Sequence, residues 1–271
     1  MFYLEFNVKI MYDSHTHLND DKLVNNWQAY LEKFAWIWGE WITTVSIDLQ
    51  RAERNLKIQK DNSTKVKILW TVWLHPSLIA FGDVVLNNIE QLLQDAENFY
   101  KQNKDYVFAI WECWIDISYD DWKSLATQKK VFNMHCELAQ HLDLPIVIHS
   151  RNDFKSTFQI VKNFPKLKLY FHCWGYWPDE VNIIQRNFEN IWIWYAWNIT
   201  YPKAENIRKS LFETNIDNVL LETDAPYLSP QVVRGQKNKP EYIKHIYDYC
   251  NNLLNKNIDE KIKQNFERLY F

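Results

Sequence analysis

The chain has 271 residues, a length that suits one large α/β domain spanning 1–271 with a sizeable core. Its 31 basic and 34 acidic side chains give a formal charge of −3. That balance excludes a broad nucleic-acid groove built on excess Lys and Arg, and leaves room for a small site gripping one or two phosphates. Cys113, Cys136, Cys173 and Cys250 form no CxxC pair, and there is no leader-like apolar run and no stretch of about 18 apolar residues. The expectation is a cytoplasmic protein with reduced thiols, no signal peptide and no membrane span.

Eight β-type runs are predicted in chain order, near 9–15, 42–47, 66–74, 106–112, 145–149, 167–172, 191–197 and 219–223. They are rich in Val, Ile, Tyr, Phe and Trp and mostly apolar throughout, as strands buried on both faces are. Segments with helical spacing alternate with them, as at 84–103 and 123–142, and two more fall near 239–254 and 258–270. Alternation repeated eight times implies parallel strands with crossover helices, and in a chain of this length a closed (β/α)8 TIM barrel. A doubly wound open sheet is the alternative, but it lacks its Gly-rich turn after the first strand.

The first run leads into Asp13-Ser14-His15-Thr16-His17-Leu18. Residues two apart on a strand point the same way, so His15 and His17 project together and can share a divalent metal. Four later runs also close on a metal-capable residue: Glu112, His149, His172 and, within Leu221-Glu222-Thr223-Asp224, Asp224. One such strand end is unremarkable, since a lone histidine pair is more often core or surface. Five suggest strands delivering ligands to a common rim, and barrel chemistry sits at the C-terminal strand ends.

At this point the chain resembles the TatD family of metal-dependent deoxyribonucleases. The matching pieces are Asp13-Ser14-His15-Thr16-His17-Leu18, Leu74-His75-Pro76, Glu112-Cys113-Trp114-Ile115-Asp116, Pro145-Ile146-Val147-Ile148-His149-Ser150-Arg151, Phe171-His172-Cys173, Leu221-Glu222-Thr223-Asp224-Ala225-Pro226-Tyr227-Leu228 and Arg234-Gly235 with Asn238-Lys239-Pro240. The resemblance implies a hydrolase using two divalent ions (Mg, Mn or Zn) to cleave DNA at single-stranded or nicked ends. His15, His17, Glu112 and Asp224 would hold one ion, and Glu112, His149 and His172 the other, with Glu112 bridging. Asp224 could also take the proton of the attacking water. His75, Arg151 and Arg234 are candidates for phosphate contact, Arg because its planar fork binds two oxygens. For these the bland alternatives are a Pro turn at His75 and a rim salt bridge at Arg151. Asp13 and Asp116 fit roles as turn caps or as partners orienting histidines. A metal-dependent ester hydrolase such as a D-aminoacyl-tRNA deacylase is the competing enzyme reading, and a metal-binding scaffold without activity the non-enzymatic one.

The chain departs from the family pattern in a consistent way. It has 4 Gly, where average usage of about 7 % would give roughly 19, and it has 14 Trp. Trp73, Trp111, Trp114 and Trp197 stand where the family carries Gly, and Trp38 and Trp194 fit the same pattern. Three readings compete: Trp that the protein tolerates at some cost to activity, Trp that stacks bases, and UGA codons read as glycine. The third accounts for the Gly deficit and the Trp surplus together.

Overall fold

The computed structural model describes residues 10–72, 89–118 and 124–271, the side chains of residues 72 and 111–113 excepted. Eight parallel strands run in the order of the sequence: β1 (Met11–Thr16), β2 (Gly39–Val45), β3 (Lys67–Val72), β4 (Val107–Asp116), β5 (Ile146–Arg151), β6 (Leu169–Phe171), β7 (Ile191–Tyr195) and β8 (Val219–Leu221). A parallel bridge between Thr16 and Ala225 joins the last strand end to the first, so the expected (β/α)8 TIM barrel is what forms. The strands are buried because helices cover their outer faces, which is why their sequences carry little polar alternation.

The helices start and stop at recognisable residues. α1 (Trp27–Trp36) ends before Trp38, which takes a left-handed φ of 70°. α2 (Leu49–Asp61) is capped by Asp48, whose carboxylate accepts the Arg51 N–H at 2.7 Å. α3 (Ile89–Gln102) and α4 (Leu125–Leu142) follow, and α4 stops at Asp143, left-handed at φ 52°. α5 (Phe154–Val161) is capped by Asp153 through the Ser156 N–H, and α6 (Pro178–Asn187) opens on a proline, whose missing N–H costs nothing there. α7 (Glu205–Glu213), α8 (Ile243–Leu254) and α9 (Asp259–Tyr270) complete the layer. Among the described residues no helix is long and apolar enough to cross a membrane.

Large rings fill the core between the strands and in the helix layer. Trp194 and Tyr170 are fully buried and stack at 5.8 Å, and Tyr12 packs on Phe266 at 4.9 Å. Each such side chain contributes on the order of 1.5–3 kcal/mol by leaving water.

Two strands differ from expectation in ways that matter to the rim. β4 continues to Asp116 because the apolar run resumes at Trp114-Ile115, so Glu112 lies inside the strand and not at its end. The β4–β5 register slips by one residue between Ile110 and Cys113, placing Glu112 in a bulge. A second one-residue slip falls between Asp13 and Thr16 of β1, around His15. Bulges of this kind re-aim side chains and gather beside active sites.

Candidate metal centre

The rim is built on a seam between β1 and β8. Asp13, fully buried, accepts the Thr223 N–H at 2.9 Å, the Thr223 hydroxyl at 2.7 Å and the His15 N–H at 3.3 Å. The Asp224 N–H donates to the His15 carbonyl at 2.9 Å and the His17 N–H to the Ala225 carbonyl at 2.7 Å. One amide, Asn238, donates to the carbonyls of Thr223, Tyr227 and Leu228, holding the following loop against the seam. Asp224 itself takes φ 56° and Cys173, after His172, takes φ 46°. Left-handed backbone at non-glycine residues is costly and concentrates at functional sites.

Four of the expected histidines meet here. His17 lies one residue past the end of β1, yet its Nε2 is 2.9 Å from His15 Nε2. Asp224 Oδ1 sits 3.4 Å from His15 Nε2 and 3.5 Å from His17 Nε2. A point equidistant from these three atoms is about 1.9 Å from each, close to the span of metal–nitrogen and metal–oxygen bonds. On the other side His149 Nδ1 is 2.9 Å from His172 Nε2, and the His15 and His172 rings are 4.5 Å apart.

Carboxylates stand behind three of these rings. Asp116 Oδ2 is 3.2 Å from His149 Nε2, Glu222 Oε1 is 3.4 Å from His172 Nδ1, and Glu222 Oε2 is 3.4 Å from His15 Nδ1. Were both N–H groups turned outward to those acids, His149 and His172 would direct two lone pairs at each other across 2.9 Å. Lone pairs that close need a cation or a shared proton between them. That donor chemistry fits a divalent ion.

The acids themselves are under tension. Burial pushes the Glu222 carboxyl up while His172 pulls it back, and burial raises Asp13 well above the usual range against its three hydrogen bonds. Asp116 is also opposed by burial, but hydrogen bonds from His149 and Ser118 outweigh it and hold the carboxyl below its ordinary value.

Other expected residues fall as follows. Arg151 ends β5 exposed, on the wall of a cavity of about 470 Å³ that also takes in His149, Cys173, Tyr176, Trp197 and Asn198. The wall is braced by Ser150, whose hydroxyl lies 2.8 Å from that of Tyr176 and 2.6 Å from that of Thr157. Arg234 is exposed, with its guanidinium 4.8 Å over the Tyr201 ring. The Glu112 side chain and His75 lie outside the described residues.

Sequence reasoning gave Glu222 no role. It sits in the same strand-end motif as Asp224, and the spacing of two that singled out His15 and His17 also relates Glu222 to Asp224.

The family model described as TatD related DNase matches residues 12–271. An uncharacterized metal-dependent hydrolase of Methanocaldococcus jannaschii is 27 % identical over 92 % of this chain and 90 % of that protein. A human 3′–5′ RNA nuclease is 32 % identical over 128 residues, 46 % of this chain and 17 % of that protein. The crystal structure of a TatD homologue from Escherichia coli superposes with a TM-score of 0.82 at 21 % identity, covering 97 % of this chain and 98 % of that one. With a match that takes in β1 through α9, this chain belongs to the TatD-related DNase family of metal-dependent hydrolases.

Proposed function

We propose that this protein is a two-metal phosphodiesterase acting on DNA at single-stranded or nicked ends. The observation that carries the reading is the pair of 2.9 Å imidazole contacts, His15 with His17 and His149 with His172, each backed by buried acid. His15, His17 and Asp224 would hold one divalent ion, His149 and His172 the other, with Glu112 bridging as the family resemblance implies. Ions in such a pair supply hydroxide near neutral pH and neutralise charge on the attacking and leaving oxygens.

The chain's own groups have separable tasks. Asp224, with 13 % of its side chain exposed, is the carboxylate of the cluster placed to take a proton from solvent. Arg151, at the end of β5 beside His149, supplies a planar fork for phosphate oxygens. Tyr176, on the wall of the same cavity, would supply a ring for a base to stack on. The human relative's name as an RNA nuclease supports a nucleic-acid phosphodiester as substrate.

The test sets labelled single-stranded DNA, RNA and D-aminoacyl-tRNA side by side with Mg, Mn or Zn ions. DNA cleavage stopped by chelator, and lost in Glu112→Ala, is expected. Faster release of the aminoacyl group would replace the nuclease reading by the deacylase one. Full DNA cleavage in excess EDTA, after verified metal removal, would overturn the metal mechanism.

We further propose that Trp38, Trp73, Trp111, Trp114, Trp194 and Trp197 are glycines in the cell, written as Trp from UGA codons. Trp38 supports this most directly, because its φ of 70° after a helix end is the conformation glycine adopts without cost. The coding DNA decides it: UGG at all six codons would end the proposal.

A further inference from the structure

Glu222 is the acid at the centre of the site that neither the sequence pattern nor the metal assignment uses. It follows β8 directly and is completely buried. Its Oε1 accepts the Cys173 N–H at 2.6 Å, which fixes the carboxylate against the turn after β6. From there Oε1 reaches His172 Nδ1 and Oε2 reaches His15 Nδ1, both at 3.4 Å. The opposite nitrogens of the same two rings face different clusters. His15 Nε2 faces His17 and Asp224, and His172 Nε2 faces His149. One carboxylate therefore contacts one histidine from each of the two metal positions.

A buried carboxylate is expensive unless charged or hydrogen-bonded neighbours compensate it. Here the neighbours are one backbone N–H and two imidazole edges. Two oxygens on opposite sides of one carboxyl can each accept one N–H, and a histidine whose Nδ1–H is so engaged must present a lone pair at Nε2.

We propose that Glu222 is a positioning residue that sets the Nδ1–H tautomer of His15 and His172 together, so that both rings offer Nε2 to their ions. The two ion positions are then tied through a single side chain, and weakening it loosens both. This rests on the metal reading given above for the consequence, but not for the tautomers themselves.

The experiment is long-range ¹H–¹⁵N NMR of histidine-labelled, metal-free protein, alongside calorimetric titration with Mn²⁺. In the parent protein His15 and His172 are expected as Nδ1–H tautomers. In Glu222→Gln, whose amide keeps one acceptor and turns a donor to the other ring, at least one of the two is expected to shift toward Nε2–H. Mn²⁺ affinity at both positions is expected to fall by about 10–100-fold, the usual effect of losing an outer partner of a metal ligand. A parent spectrum with the proton on Nε2 of either ring would overturn the proposal, whether or not the variant folds. So would unchanged tautomers in Glu222→Gln, or a loss confined to one ion. A parent that binds no Mn²⁺ would instead sink the metal reading, and the tautomers would still decide the role of Glu222.

Discussion

Asp13→Ala should cost the fold more than any exposed substitution at the rim, because it opens the seam that closes the barrel. The carboxylate accepts two well-formed hydrogen bonds from Thr223, at 2.9 and 2.7 Å, and a longer one from the His15 N–H at 3.3 Å. Alanine leaves those donors buried and unpaired, at about 1–3 kcal/mol each. Part of this is returned, since burial already disfavours the ionised carboxylate, and the Thr223 hydroxyl can turn toward the His15 carbonyl, 3.5 Å away. The net loss is about 2–4 kcal/mol, which lowers the melting temperature by about 5–12 °C in a chain of this size. Asp13→Asn keeps an acceptor for the Thr223 N–H and can donate to its hydroxyl, so about 1 kcal/mol is expected. Thermal unfolding followed by far-UV circular dichroism in metal-free buffer reads both. An Asp13→Ala melting within about 2 °C of the parent, or an Asp13→Asn that falls as far as the alanine, would refute the seam argument.

Divalent ion at about 100 times its dissociation constant should stabilise the fold by about 2.7 kcal/mol, raising the melting temperature by about 5–10 °C. EDTA should reverse the rise and His17→Ala remove most of it; a melting temperature indifferent to Mn²⁺ and Zn²⁺ would contradict the site. Trp38→Gly should stabilise, since left-handed backbone costs an L-residue roughly 1–2 kcal/mol, glycine returns about 0.4–1 kcal/mol of that as unfolded-chain entropy, and the ring is 61 % exposed with little packing to lose. A rise of about 1–4 °C is expected in calorimetry, and a fall would show that the indole itself holds the turn.

The barrel was legible because its strands announce themselves by composition. Runs such as Ile146-Val147-Ile148 and Val219-Leu220-Leu221 are buried on both faces and read as strands whatever surrounds them. The four histidines and Asp224 were legible for a related reason: each follows such a run directly or within a few residues, and a strand end is a fixed address in this architecture. Glu222 was not, because direction beyond a strand end is set by backbone angles that sequence does not display. The turns after β6 and β8 take left-handed backbone at Cys173 and Asp224, and Glu222 lies buried with its oxygens 3.4 Å from His15 Nδ1 and His172 Nδ1. The reach of Asp116 to His149 was hidden likewise, because the apolar run resuming at Trp114 carries β4 four residues further than expected.

The tryptophans divide by what the fold does with them. Trp194 is enclosed, stacked on Tyr170 and set edge-on to His15 at 6.3 Å, so as an indole it would be a floor for the metal centre. Trp114 is 4 % exposed and meets His149 edge-on at 5.5 Å. A barrel can accommodate such rings if its neighbours yield, which is why packing alone does not distinguish a true tryptophan from a miswritten glycine. Backbone conformation does distinguish them. A left-handed φ is imposed by the geometry of the chain reversal between α1 and β2, not by the side chain, and Gly39 immediately after it has no room for a Cβ, which would fall 2.3 Å from the Phe34 ring. At this turn the chain needs one glycine for space and, one residue earlier, a residue free to turn left-handed. Trp38 is therefore the position where substitution tests the reading of the gene through the physics of the fold.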